Sequence, residues 1–139
     1  METATVRWVG GEEFLAAMPS GHALAIDADR KHNSAPGPME MLLGALGACT
    51  AVDVVQILAK KRQNLEKLEV SVSGERAAEP PRVWTHIELV FRLTGKLDDK
   101  AVRDSIELSQ TKYCSVAAML GKTAKITSRY EIEAGRAES

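Results

Sequence analysis

Residues Pro38 to Arg62, PMEMLLGALGACTAVDVVQILAKKR, constrain the fold of this chain more than any other stretch. From Met39 to Val55 nearly every side chain is apolar or small, and only Glu40, Thr50 and Asp53 interrupt the run. That pattern predicts a helix buried on all sides rather than along one stripe. Ser34 and Asn33 stand upstream as possible caps, and Pro38 occupies a position where a missing N–H costs nothing. Lys60, Lys61 and Arg62 suit the negative end of the helix dipole. About 24 residues at about 1.5 Å each make a rod of about 36 Å, the width of a small domain. A cysteine, Cys49, sits near its middle.

The rest of the chain has to cover that rod. Thr3 to Val9 alternates polar and apolar residues, Glu13 to Met18 does so less cleanly, and Gly10-Gly11 between them signals a turn. Pro19-Ser20-Gly21 is a second turn before a short strand, His22 to Asp27, so three antiparallel strands come first. Asp27 to Gly37 is a polar loop into the helix. After it, Lys67 to Glu75 and Val83 to Leu93 alternate on either side of a turn at Ala77 to Pro81, which reads as a long hairpin. Asp98 caps a helical segment over Asp99 to Lys112, a shorter helix over Ser115 to Leu120 stops at Gly121, and Ile126 to Ile132 is the last strand. Ala134 to Ser139 reads as a frayed tail. This order predicts a single α+β domain over residues 1–139, with antiparallel sheets packed around a long central helix.

One small subunit offers sheet to one side of the helix and two short helices to part of the other. A helix apolar on every face therefore calls for a second subunit, and a homodimer with the helix near its interface is expected. The chain has 139 residues, a net charge of -1, 45% hydrophobic and 27% charged residues. Near-zero charge without a basic block argues against nucleic acid as a partner. A glutamate and an aspartate inside the apolar helix, and the lack of a basic start followed by an apolar run, argue against a membrane span or a signal peptide. The expected location is the cytoplasm, where thiols stay reduced and two cysteines are not a structural staple.

Cys49 and Cys114 carry the chemistry. A free cysteine taken alone is ordinarily a small buried hydrophobe. Here one thiol lies mid-helix, and the other lies in the break between two helical segments at Tyr113-Cys114-Ser115, where the end of one helix can meet the middle of another. Such a meeting suits a nucleophilic and a resolving thiol. Two cysteines without C-x-x-C spacing and three scattered histidines do not make a zinc cluster, so no metal and no cofactor is expected.

At these residues the sequence resembles the OsmC/Ohr family of thiol-dependent hydroperoxide reductases, and within it most closely the YhfA-like branch. The matching residues are Pro38-Met39-Glu40-Met41-Leu42-Leu43 with Gly44-Ala45-Leu46-Gly47-Ala48-Cys49, Tyr113-Cys114-Ser115-Val116, and Ile126 with Tyr130 to Ile132. Arg7-Trp8-Val9 and Pro81-Arg82-Val83-Trp84-Thr85-His86-Ile87 carry the branch. The resemblance implies an OsmC-like fold as an intertwined homodimer with two interfacial active sites. It implies that Cys49 attacks a peroxide oxygen to form a sulfenic acid and that Cys114 condenses with it to a disulfide, which a dithiol reductant reopens.

Against that pattern, the position where the family's peroxidases place a glutamate is Met39, and the carboxylate falls one place later, at Glu40. Glu40 lies about 180° round the helix from Cys49 and about 13.5 Å along it, so in a continuous helix it acts only across a dimer. The resemblance implies an activating arginine, for which Arg30 and Arg82 are the candidates, oriented by Glu40 of the other subunit. The proline usual after the second cysteine is Ser115. Asp53, four residues after Cys49, is within reach of the thiol, although pairing with a basic residue is its ordinary role. His86 reads as a polar-face residue, His22 and His32 carry no motif, Lys60 to Arg62 is a solvated helix end, and Trp8 and Trp84 read as core or interface rings. Two functions stay open: a peroxidase acting on organic hydroperoxides, or a non-catalytic, redox-sensing dimer that binds a small apolar ligand or a protein in the interfacial cleft.

Overall fold

Gly10 and Gly11 both take positive φ, 130° and 53°, and this glycine pair turns the chain back on itself after its first strand. The computed structural model describes residues 1–135, so the last four residues of the expected tail, 136–139, lie outside the described residues. Two compact units are distinguishable, one spanning Met1–Leu42 and one beginning at Leu43.

In the first unit β1 (Thr5–Gly10), β2 (Glu13–Ala17) and β3 (Ala23–Asp27) pair antiparallel in the order β1-β2-β3, as the alternation predicts. Trp8 is not a core ring: it is 68% exposed, and its indole Nε1 donates to the Gly11 carbonyl at 2.8 Å. The loop after β3 closes on Asp27, whose side chain is fully buried. Ser34 is taken up by this loop and does not cap the helix. Its hydroxyl contacts Glu13 and Asp27, while Asn33, at φ 47°, accepts from Arg30.

The central helix, α1 (Pro38–Lys60), is continuous. In the second unit it is followed by β4 (Asn64–Arg76), β5 (Trp84–Lys96), α2 (Asp99–Leu108), a π-helical turn over Ser109–Tyr113, α3 (Ser115–Leu120) and β6 (Lys125–Glu133). The Asp98 carboxylate caps α2 by accepting the Ala101 N–H at 3.0 Å. β4 and β5 form the expected antiparallel hairpin. β6, however, runs parallel to β5, so the sheet β4-β5-β6 is mixed. The cause is the connection: α2, the π turn and α3 carry the chain back along the sheet before β6 begins, which is how a strand arrives parallel to its neighbour.

β5 is the middle strand. Ile87, Leu89, Phe91 and Leu93 alternate along it and are at most 1% exposed, and Leu46, Val54 and Leu58 of α1 and Val102 of α2 are fully buried. Each such side chain contributes about 1.5–3 kcal/mol of burial. Gly47 lets α1 approach the sheet closely, since a Cβ there would stand 3.0 Å from a methyl of Val72. Gly95, at φ 144°, is required where the chain passes the Asn64 carbonyl.

α1 is not enclosed all round within one chain. Leu46, Gly47, Thr50, Val54 and Leu58 are buried, whereas Ala45, Ala48, Val52, Val55 and Ala59 remain exposed. The exposed set repeats at alternating spacings of three and four, the pattern of a helix seam that meets another element. By length and hydropathy alone α1 is long and apolar enough to cross a membrane.

Candidate functional site

The π turn places the second cysteine. Ser109–Tyr113 adds a residue per turn, the Cys114 N–H donates to the Ser109 carbonyl at 2.8 Å, and Cys114 leaves the helix in an extended conformation, φ -75° and ψ 104°. Its sulfur then caps α3 by accepting the Ala117 N–H at 3.3 Å. The expected break between helices is therefore real, and a π distortion creates it, as often happens at functional positions.

The same turn is fastened to α1 by hydroxyl groups. Thr50 Oγ1 and Ser109 Oγ, both fully buried, lie 2.7 Å apart. Ser109 Oγ donates to Asp53 Oδ2 at 2.8 Å, and Gln110 Nε2 donates to Thr50 Oγ1 at 2.8 Å. Thr50, Asp53, Ser109 and Gln110 thus fix the register of the turn against the helix. The polar interruptions of α1 face this joint. Within one chain Asp53 is held by Ser109.

At this joint Cys49 is a neighbour of Cys114 that acts on its thiol. Cys49 is partly exposed, and Cys114 is buried, at 3% exposure. Burial pushes the Cys114 thiol up to about 11; the neighbouring Cys49 and the negative charge of Asp53 add to the rise, and the Ala117 N–H opposes it. Cys114 therefore keeps its proton at neutral pH.

The other candidates have partners of their own. Arg30 and Glu40, both in the first unit, form an ion pair of one chain, Nη1 to Oε2 at 3.7 Å, with side chains 49% and 55% exposed. Arg30 Nη2 also donates to the carbonyls of Asp27 and Ala35. Arg82 is exposed just before β5, and its carbonyl accepts from Arg76 Nε at 2.9 Å. His86 meets Thr127 at 3.3 Å across the parallel strands, and Trp84 is buried beneath Arg76. Sequence reading missed Thr50, Ser109 and Gln110. The available signal was a hydroxyl next to Cys49 together with the polar pair Ser109-Gln110 after the apolar face of α2 ends.

Comparison with known proteins bears on this thiol joint. The family model described as OsmC-like protein matches residues 31–129, which contain both cysteines. The chain belongs to the OsmC-like family. It is 48% identical over 132 residues to Protein YhfA of Escherichia coli K12, covering 94% of this chain and 98% of that one. The fold is similar to a crystal structure of a hypothetical protein from Aquifex aeolicus, with a TM-score of 0.88, 28% identity and 98% coverage of both chains. It is also similar to an organic hydroperoxide resistance protein OsmC from Legionella pneumophila, with a TM-score of 0.71, 13% identity, and coverage of 94% and 98%. The OsmC-like fold expected from the residues around Cys49 and Cys114 is thus the fold of the chain.

Proposed function

We propose that this OsmC-like protein is a thiol-dependent peroxidase that reduces organic hydroperoxides. The observation that carries the reading is the neighbouring pair of a partly exposed Cys49 and a buried, protonated Cys114. In this scheme the Cys49 thiolate attacks the distal peroxide oxygen, the O–O bond breaks, and the alcohol leaves with a proton, giving a Cys49 sulfenic acid. The Cys114 sulfur then attacks the Cys49 sulfur, the S–O bond breaks, and water leaves with the Cys114 proton. A dithiol reductant reopens the disulfide and is itself oxidised. No metal or organic group enters these steps.

The Arg30–Glu40 ion pair is the candidate for activating Cys49, with Arg82 as the other cation to test. Two chains associate through α1 in this reading, supported by the exposed seam of Ala45, Ala48, Val52, Val55 and Ala59. A stable monomer by light scattering at micromolar concentration overturns the dimer. The second reading, a non-catalytic binding or redox-sensing dimer, is favoured by an open cavity of about 390 Å³ between α1 and β4 to which Leu43, Ala51, Leu68 and Val72 bring apolar side chains.

Intact mass before and after stoichiometric cumene hydroperoxide separates the peroxidase from a binding dimer with inert thiols, and repeated turnover with excess dithiol separates it from a redox sensor. Loss of two hydrogens per chain, absent when Cys114 is replaced by Ser, is the expected result. An unchanged mass with both thiols still titratable overturns the peroxidase. Arg30→Met and Arg82→Met are then compared for the pH dependence of Cys49 alkylation, and an unchanged profile in both removes the activation scheme.

A further inference from the structure

Asp27 is a buried carboxylate, and among the described residues His32 is the one basic side chain that pairs with it or with Glu13. Buried carboxylates are ordinarily paired with a cation or bound to a metal. Around it the loop after β3 brings four donor atoms into a ring. His32 Nδ1 is 2.8 Å from Glu13 Oε1 and 2.9 Å from Asp27 Oδ2. Ser34 Oγ is 3.0 Å and 2.7 Å from the same two oxygens. All four residues belong to the first unit, and Glu13 and Asp27 lie outside the residues matched by the family model.

We propose that Glu13, Asp27 and His32, with the Ser34 hydroxyl as a fourth ligand, form a site for a six-coordinate divalent transition-metal ion. The edges of the ring decide the geometry. An octahedral ion with ligands at about 2.0–2.2 Å holds neighbouring ligands about 2.8–3.1 Å apart, whereas a tetrahedral ion needs about 3.3 Å or more. The four edges fall at or near the octahedral spacing. One imidazole nitrogen and two carboxylate oxygens suit manganese, iron, cobalt or zinc rather than calcium, and they lack the thiolates that a structural zinc site favours. Nδ1 offers its lone pair when the ring carries its hydrogen on Nε2.

The surroundings supply the rest of a site. The second carboxylate oxygen of Asp27 is held by the Asp29 N–H at 2.9 Å, and the Ser34 N–H bonds Oδ2 at 3.0 Å, so the buried ligand is oriented from behind. A cavity of about 310 Å³ opens onto Glu13, Asp27 and His32 and is also lined by Glu12 and Asp29. No Lys or Arg lines it, and Glu12 and Asp29 add negative charge beside the ring. His32 and Glu13 are 59% and 35% exposed, which leaves room for water in the remaining coordination positions.

The test uses the full chain with Cys49→Ser and Cys114→Ser, stripped with chelator and dialysed, so that no thiol competes. MnCl2 is followed by the free-ion electron paramagnetic resonance signal and ZnCl2 by calorimetry. The expected result is one saturable site per chain, weakened at least about tenfold by His32→Gln and by Glu13→Gln. Both side chains are partly exposed, and unchanged circular dichroism of each variant shows that the fold is kept. Absence of saturable binding of either ion up to millimolar concentration overturns the site. Binding undiminished in both variants overturns it as well.

Discussion

Ser109 and Ser34 hold two oxygen partners each, in two different regions of the molecule. Ser109 is fully buried, contacts Thr50 and Asp53, and joins the π turn to α1. Ser34 lies in an exposed loop and joins Glu13 to Asp27. In the first region apolar packing sets the geometry, and few polar groups are spent on locking a thiol in place. In the second a loop is organised by hydrogen bonds and ion pairs that converge on Asp27. Similar hydroxyl contacts thus fix a reactive position in one place and a cluster of potential ligands in the other.

The sharpest break of this contrast is Cys49→Ser. It is expected to remove the hydroperoxide-dependent mass change entirely, while leaving metal binding by the loop untouched. Loss of both together shows that the two regions are not independent.

A smaller effect concerns Cys114. With its thiol pushed up to about 11 from an ordinary 9.0, its thiolate fraction at pH 8 is about 100-fold below that of an unperturbed cysteine. Iodoacetamide should label it correspondingly slowly in the folded chain. Because the folded state binds this proton more tightly, its contribution to stability is complete below about pH 9 and is lost as pH rises through about 11. Rapid labelling at pH 8 in the folded protein shows that the joint is open to solvent.

Smaller still are the two serine truncations. Ser109→Ala strips an acceptor from buried Thr50 and a donor from half-buried Asp53 and should cost about 1–3 kcal/mol, whereas Ser34→Ala, beside water, should cost about 0.5–1.5 kcal/mol. Urea unfolding measures both, and equal costs erase the distinction between buried joint and solvated loop. Smallest is Glu40→Gln, which breaks an exposed ion pair with Arg30 and should change stability by less than about 1 kcal/mol. A larger loss shows that the pair holds the loop by more than its charges.

How much of this was legible in the sequence follows from range. The elements were readable because periodicity, Pro38, Asp98 and Gly121 act locally. Cys114 was placed correctly in a helix break because Tyr113-Cys114-Ser115 interrupts the pattern. Beyond reach were the parallel arrival of β6, which the crossover path decides, and the grip of Ser109 and Gln110 on Thr50, which joins residues about 60 positions apart. His32 carried no motif, since its partners come from β2 and β3 and no spacing rule connects them. The faces of α1 that stay exposed in one chain, at Ala45, Ala48, Val52, Val55 and Ala59, are the part that the apolar pattern assigns to a partner without saying what that partner is.

The parallel pairing of β6 with β5 has a consequence during synthesis. β5 leaves the ribosome with one edge unpaired, and the strand that covers it is made only after the whole crossover. At 5–20 residues per second the roughly 40 intervening residues take about 2–8 s. For those seconds Val90, Phe91 and Leu93 stand beside an open row of backbone donors and acceptors, which another nascent chain can join. Cys49, translated well before Cys114, spends most of the same interval as a lone thiol.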